Sequence, residues 1–314
     1  MTKNFINRVL SSNSLKGIVL VIFSLFLYAF SDALIRLMLK GYNYGVEQTT
    51  FLRALTRIVP LILASLVFYK SFEPLKTNRP WAHLINSAIG CARTYAFMLA
   101  FKLIPLAEAS ALSYTSALFF VILSVIFLKE KIKNYHIAAL VLGTIGVVIA
   151  YEPGANILKL GALVTLAGAF FAAVNKIIIR KLSFYDNSLG IVLYPNLFLM
   201  IVTLPFIVNN WKVVPIEHWG IFLLIGLLAA LAQYSFAIAL KLTKGLTLAP
   251  YDYTYFVWVI LMDFLFNGEI PKQMVIIGAL FIIGSNVIIL MNEFRKADSD
   301  KGNKVDNKAA TETA

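Results

Sequence analysis

Apolar runs of about twenty residues alternate with short polar connections along almost the whole chain. Ten runs stand out: 16–39, 47–69, 81–102, 105–128, 134–151, 157–179, 189–209, 218–240, 247–267 and 272–292. Each is long enough to cross a hydrocarbon core about 30 Å thick as an α-helix. Lipid offers the backbone no hydrogen-bond partner, so a spanning segment satisfies its own amides and carbonyls as a helix. The connections, KSFEPLKTNRP and KEKIKN among them, are short and charged. The first run is too long for a signal-peptide core and no clear cleavage site follows it, so it is expected to be retained. Residues 295–314, RKADSDKGNKVDNKAATETA, are polar and without period, and are expected to form a disordered cytoplasmic tail.

The runs repeat. From Tyr95 to Glu130 the chain aligns without gaps to Tyr234 to Glu269, an offset of 139 residues that pairs Phe97 with Phe236, Lys102 with Lys241, Tyr114–Thr115 with Tyr253–Thr254, and Glu130 with Glu269. Upstream, GIVLVIFSLFLYAFSDALIR pairs with GALVTLAGAFFAAVNKIIIR, setting Gly17 on Gly161 and Arg36 on Arg180. Two apolar helices align by chance at apolar positions; matched Lys, Glu, Arg and Tyr at constant offset are a stronger signal. The expected units are 1–151 and 152–294, five spans each. Five is odd, so the second copy enters from the opposite side and the repeats are inverted, the arrangement of alternating-access transporters.

Composition agrees with the pattern. Of 314 residues, 60% are hydrophobic and 14% charged, and mean hydropathy is +0.79, more apolar surface than a soluble domain can bury. The net charge of +12 reads as the basic bias of cytoplasmic loops, not as a nucleic-acid surface. With the N-terminus inside, the inner side carries 18 Lys and Arg against 6 outside, which places both termini in the cytoplasm. The single cysteine, Cys91, excludes an internal disulfide, and His83, His136 and His218 are too scattered for a metal cluster. Phosphate-binding loops, zinc-protease pairs and nucleophile elbows are absent from the sequence, so no cofactor and no catalytic residue is expected.

Two stretches carry a family resemblance. PLAEASALSYTSALFFVILSVIFLKEKI resembles the fourth span of the ten-helix, EamA-like branch of the drug/metabolite transporter superfamily, and APYDYTYFVWVILMDFLFNGEIPKQMVIIGALFIIGSNVII resembles its closing two spans. The resemblance runs over about residues 16–292. The A-P-Y-x-Y ninth span is also similar to bacterial transporters that take up S-adenosylmethionine. The chain departs from the pattern at Ser116–Ala117, where many members carry a proline, at Asn86, where Arg is frequent, and at Asp252, where some members carry Arg. The resemblance implies a multi-pass protein of a bacterial inner membrane that moves a small metabolite.

Charges inside spans are costly, about 2.5–3.5 kcal/mol each at a helix centre, and tend to face a cavity or a partner. Asp32, Arg53, Arg57, Arg93, Lys176 and Asp252 are therefore candidate cavity residues, with Asn175 beside Lys176. Arg53 and Arg57 lie four apart on one helix face and suit a carboxylate; a structural pairing of Arg53 with an acid such as Glu47 is the alternative. Asp32 and Arg36 fit an ordinary i,i+4 ion pair as well as a cavity role. Their repeat partners are Lys176 and Arg180, so the halves offer opposite charge. Arg93 is within reach of Asp252 or Asp263 in some packings. Tyr95, Tyr114, Tyr234, Tyr253 and Trp258 are candidates for an aromatic wall, against the alternative of a membrane-interface belt. Tyr251 and Tyr255 share a helix face at i,i+4. Asp263 is read as structural, and Glu130 and Glu269 as packing and capping at span ends. The expected cavity lies among spans 1, 3, 4, 6, 8 and 9.

The function expected is secondary active or facilitative transport of a small polar metabolite by alternating access, with S-adenosylmethionine uptake as the specific form. Amino-acid or metabolite export and riboflavin import are the alternatives, and a membrane-embedded enzyme is the alternative of another class. Asp32 and Asp252 are candidate proton carriers, and exchange without protons fits equally well. Ten spans can enclose a path in one chain, so a homodimer is allowed but not required.

Overall fold

The computed structural model describes residues 12–103, 112–151, 160–208, 211–267 and 273–312. Among them no residue lies in a strand. The elongated helices are α1 (Asn13–Arg36), α2 (Val46–Tyr69), α3 (Pro80–Leu103), α4 (Thr115–Leu128), α5 (Asn134–Tyr151), α6 (Leu160–Leu182), α7 (Ser188–Ile207), α8 (Ile216–Leu242), α9 (Thr254–Asn267) and α10 (Gln273–Glu312). Among the described residues, six segments have the length and hydropathy to cross a membrane: Asn13–Leu39, α2, α6, α7, α8 and Gln273–Arg295.

Local sequence sets the helix ends. Ser12 caps α1 by accepting from the Leu15 amide, and Asn187 caps α7 by accepting from the Leu189 amide at 3.0 Å. Proline opens α3, where its missing N–H costs nothing. α1 closes in a π-helical turn over Leu37–Gly41. Beyond residue 295, where polarity led to the expectation of disorder, the backbone instead continues α10 to Glu312. Extending an anchored helix requires no new nucleus, and this stretch contains no proline.

The expected ninth span is not one helix. It begins with a single α-turn at Gly245–Leu248, passes through a 3₁₀ turn at Ala249–Tyr253, and becomes α-helical again at Thr254. Pro250 sits at the start of the 3₁₀ turn, where it cannot donate to an α-helical ladder. α4 starts at Thr115, the repeat equivalent of Thr254, just after a turn at Tyr114. The two halves therefore interrupt their fourth helices at matching residues.

The packing obeys the same symmetry. The most extensive helix contacts are α5 with α10, α1 with α8, α3 with α6, α2 with α8, α2 with α7, α4 with α6, α1 with α9, and α3 with α7. Advancing every helix by five exchanges α1·α8 with α3·α6, α2·α8 with α3·α7, and α4·α6 with α1·α9, while α5·α10 and α2·α7 map onto themselves. All of these contacts join one half to the other. Glycine permits the closest approaches: a Cβ at Gly146 of α5 would lie 2.7 Å from the Gly278 carbonyl oxygen of α10, and one at Gly226 of α8 would run into the Thr56 backbone of α2.

Polar groups point inward and apolar ones outward. Ser24 donates to the Ala232 carbonyl at 2.7 Å, tying α1 to α8. Val67, Phe68, Ile201 and Leu280 are among many large apolar side chains exposed on the outside, a surface suited to lipid.

Candidate functional site

A cavity of about 540 Å³ lies where the halves meet. It is lined from the first half by α1, α2 and α3, and from the second by α6, α7, α8 and the segment around Asp252 and Tyr255. The lining departs from the expected set of spans: α2 and α7 contribute, and none of the described residues of the fourth span does. Phe120 of α4 is 1% exposed and packs in the core instead.

Seven expected residues meet here: Asp32, Arg53, Arg57, Arg93, Asn175, Lys176 and Asp252. Asp32 pairs across to α2, with its Oδ1 3.0 Å from Arg53 Nη2, and accepts a 2.7 Å bond from the Tyr255 hydroxyl. The acid that partners Arg53 is thus Asp32, not Glu47, and Asp32 reaches another helix in addition to any neighbour on its own. Arg57 is 9% exposed and donates from Nη1 to Asn196 Oδ1 of α7 and to Gln233 Oε1 of α8, each at 3.0 Å. Lys176 is ion-paired with Asp252 and lies 5.5 Å from the Phe120 ring centroid. Asn175 donates to the Asn86 side-chain oxygen at 2.8 Å. Arg93 makes no ion pair or hydrogen bond among the described residues, and Asp252, one of the two acids within its possible reach, is paired with Lys176. Glu269 lies outside the described residues, as does the side chain of Asp263.

The aromatic candidates are placed differently. Tyr253 is 1% exposed; its hydroxyl meets Thr144 Oγ1 at 3.0 Å and its ring stands 5.9 Å from that of Tyr114, so this repeat-equivalent pair packs between helices and not along the cavity. Trp258 packs edge-on against Phe26 of α1 at 5.3 Å. Tyr95 is on the exposed side of α3, while its neighbour Thr94 lines the cavity. Tyr234 packs among Leu61, Leu193 and Ala230, while its neighbour Gln233 lines the cavity. One residue along a helix is a rotation of 100°, enough to leave the cavity face. The 3₁₀ turn separates Tyr251 from Tyr255: Tyr251 donates to the Asn286 carbonyl in α10 at 3.2 Å, while Tyr255 enters the cavity.

The cavity candidates drawn from the sequence omit Tyr28, Asn86, Asn196, Gln233, Phe236 and Tyr255, all in the lining. The amides carried a usable signal, each being a lone polar side chain inside an apolar span.

One end of the bundle is closed beneath this cavity. Glu130, 9% exposed, accepts from the amides of Gly245 and Leu246 at 3.0 Å each and lies 3.3 Å from Arg180. Arg180 also donates to the carbonyls of Leu240 and Thr243, and Thr243 donates to the Asn13 and Ser14 carbonyls at the start of α1. The capping role expected for Glu130 is filled across helices, at the N-terminus of the broken ninth span. The cavity reaches the other way, to Leu39 and Val46 at the α1–α2 connection.

A charged, ligand-sized cavity between two repeats of apolar helices defines a multi-pass membrane transporter. The chain belongs to the EamA-like transporter family, which matches residues 15–151 and again residues 159–291. It is similar to an S-adenosylmethionine uptake transporter of Rickettsia bellii, 24% identical over 77% of this chain and 82% of the relative. It is likewise similar to a riboflavin transporter of Vibrio cholerae, 27% identical over 82% and 88%, and to the pseudopaline exporter CntI of Pseudomonas aeruginosa, 26% identical over 85% and 93%. A solved crystal structure superposes with a TM-score of 0.71 at 19% identity, covering 89% of this chain and 98% of the other, which is a likeness of fold alone. The protein is a multi-pass inner-membrane transporter of small metabolites, and not an enzyme.

Proposed function

We propose that the chain is a secondary active or facilitative transporter that moves its cargo by alternating access between two inverted five-helix repeats, ten transmembrane helices with both termini cytoplasmic. The observation that carries this reading is the cavity at the junction of the repeats, lined by equivalent helices of each and charged within the membrane. With that orientation the Glu130–Arg180 network closes the cytoplasmic end and the cavity opens at the outer end, an outward-facing state. Rocking of the bundle α1, α2, α8 and α9 against the bundle α3, α4, α6 and α7, which meet through α2·α7, would reverse the two ends.

S-adenosylmethionine uptake is the specific cargo reading, supported by the Rickettsia relatives and by a cavity that offers guanidinium groups to a carboxylate and Tyr28, Phe236 and Tyr255 to a planar ring. Riboflavin import and export of an amino-acid-like metabolite are the alternatives, supported by the other relatives. Asp32, Arg53, Arg57, Arg93, Asn175, Lys176 and Asp252 are the proposed contacts. The test is counterflow in proteoliposomes preloaded with unlabelled S-adenosylmethionine, riboflavin or an amino-acid mixture. Saturable accumulation of the matching labelled solute without ATP, lost in Asp252→Ala and Arg53→Ala, is expected. Flux of none of them would count against transport of these cargoes, and unchanged flux in both variants would overturn the site.

A further inference from the structure

Among the described residues the cavity does not balance its charge: four cations line it, Arg53, Arg57, Arg93 and Lys176, against two carboxylates, Asp32 and Asp252. Each carboxylate is taken: Asp32 by Arg53 and Asp252 by Lys176. Arg57 is held only by the neutral amide oxygens of Asn196 and Gln233, and its Nε has no partner although it is buried. Amide oxygens solvate a guanidinium without neutralising it. Arg93, from the facing α3, has no ion-pair or hydrogen-bond partner among the described residues. Two uncompensated guanidinium groups facing one water-accessible cavity inside a membrane are costly to keep unless something anionic arrives.

We propose that Arg57 and Arg93 form an anchoring site for an anionic group of the cargo, a carboxylate or a phosphate. The proposal rests on the transporter reading above and deepens it. Arg57 is pre-oriented: the amides of α7 and α8 fix Nη1 of its planar fork, so the guanidinium is held in one orientation, which a lysine cannot reproduce. Asn196 lies on α7 and Arg57 on α2, across the contact that joins the two bundles, so an anion bound there sits on the seam that alternating access must open and close. A cargo with no anionic group leaves both guanidinium groups unmatched.

The test is a thermal-stability titration of the purified full chain with chemically matched pairs. S-adenosylmethionine is set against its decarboxylated form, flavin mononucleotide against riboflavin, and common amino and keto acids against their amides, with inorganic phosphate and chloride as controls. The carboxylate and phosphate arms separate the two sources of anion. Expected is stabilisation by anion-bearing members, with apparent Kd raised about tenfold to a hundredfold when the anion is removed or in Arg93→Gln, the size of a lost charged hydrogen bond. Arg93→Gln disturbs no described contact, and Arg57→Lys, which keeps the charge but not the fork, gives a second reading with its own unliganded melting point as folding control. Equal binding by the anion-free partners, equal binding in Arg93→Gln, or stabilisation by chloride or phosphate no weaker than by any organic member overturns the site. A neutral stabiliser that shows counterflow overturns the site and leaves transport standing. An anionic stabiliser that Arg93→Gln loses but that never crosses the bilayer leaves the site standing and overturns transport. A titration with no stabiliser overturns both.

Discussion

Replacing Glu130 by Ala should unseat the closed end of the bundle. The carboxylate accepts two backbone amides at 3.0 Å and faces Arg180 at 3.3 Å, with a side chain only 6% exposed. Hydrogen bonds to a charged group contribute about 1.5–3 kcal/mol each, so the two amides alone account for roughly 3–6 kcal/mol. Breaking one partner out of a buried ion pair costs about 3–5 kcal/mol. Both routes converge on about 4 kcal/mol for Glu130→Ala. Glu130→Gln keeps one acceptor oxygen for one amide and should cost about half as much. Unfolding in mixed micelles followed by tryptophan fluorescence reads both numbers. The same variants should let a polar thiol reagent reach Cys91 from the cytoplasmic side faster than in the unaltered protein, because the seal lies between Cys91 and that end. If Glu130→Ala falls within about 1 kcal/mol of the unaltered protein, and no further from it than Glu130→Gln, the network is not what holds that end closed.

Asp32→Asn removes the counter-charge of Arg53, and is expected to abolish counterflow while lowering stability by only about 1 kcal/mol, since the pair is screened by solvent in the cavity, read in the same unfolding assay. Gly226→Leu forces a side chain into the Thr56 backbone and Gly146→Leu into the α10 backbone; each should cost about 1–3 kcal/mol or more and reduce the yield of folded protein on size-exclusion chromatography. Tyr253→Phe deletes only the hydroxyl that meets Thr144, and should lower stability by about 1 kcal/mol with cargo affinity unchanged, whereas Tyr255→Phe should weaken cargo affinity, since its hydroxyl reaches Asp32 in the cavity.

Hydrophobic period and the offset of 139 residues were legible because both are properties of one chain read in order. The charges inside spans pointed to the cavity for the same reason: Asp32, Arg53, Arg57, Arg93, Lys176 and Asp252 are too costly to leave in lipid. Which charge meets which was not legible. The i,i+4 rule offers Asp32 a neighbour on its own helix, while its partner across the cavity is Arg53, set by how α1 and α2 both pack on α8. The aromatic wall went wrong for a related reason: Tyr114 and Tyr253 match because both pack at equivalent helix breaks, so repetition marked scaffold and not cargo contact. Pro250 signalled a break, but not that three residues per turn would carry Tyr255 into the cavity and Tyr251 away from it.

The central claim is that one cavity between the repeats opens alternately to each side. Cys91 is the chain's single cysteine and lines that cavity, half-buried, so the protein carries its own reporter. Membrane-impermeant thiol labelling of oriented vesicles, from each face in turn and with and without cargo, tests the claim most directly. The account predicts labelling from the outer face at rest, labelling from the cytoplasmic face once cargo is exchanging, and protection when cargo occupies the cavity. Labelling confined to one face under every condition would contradict it.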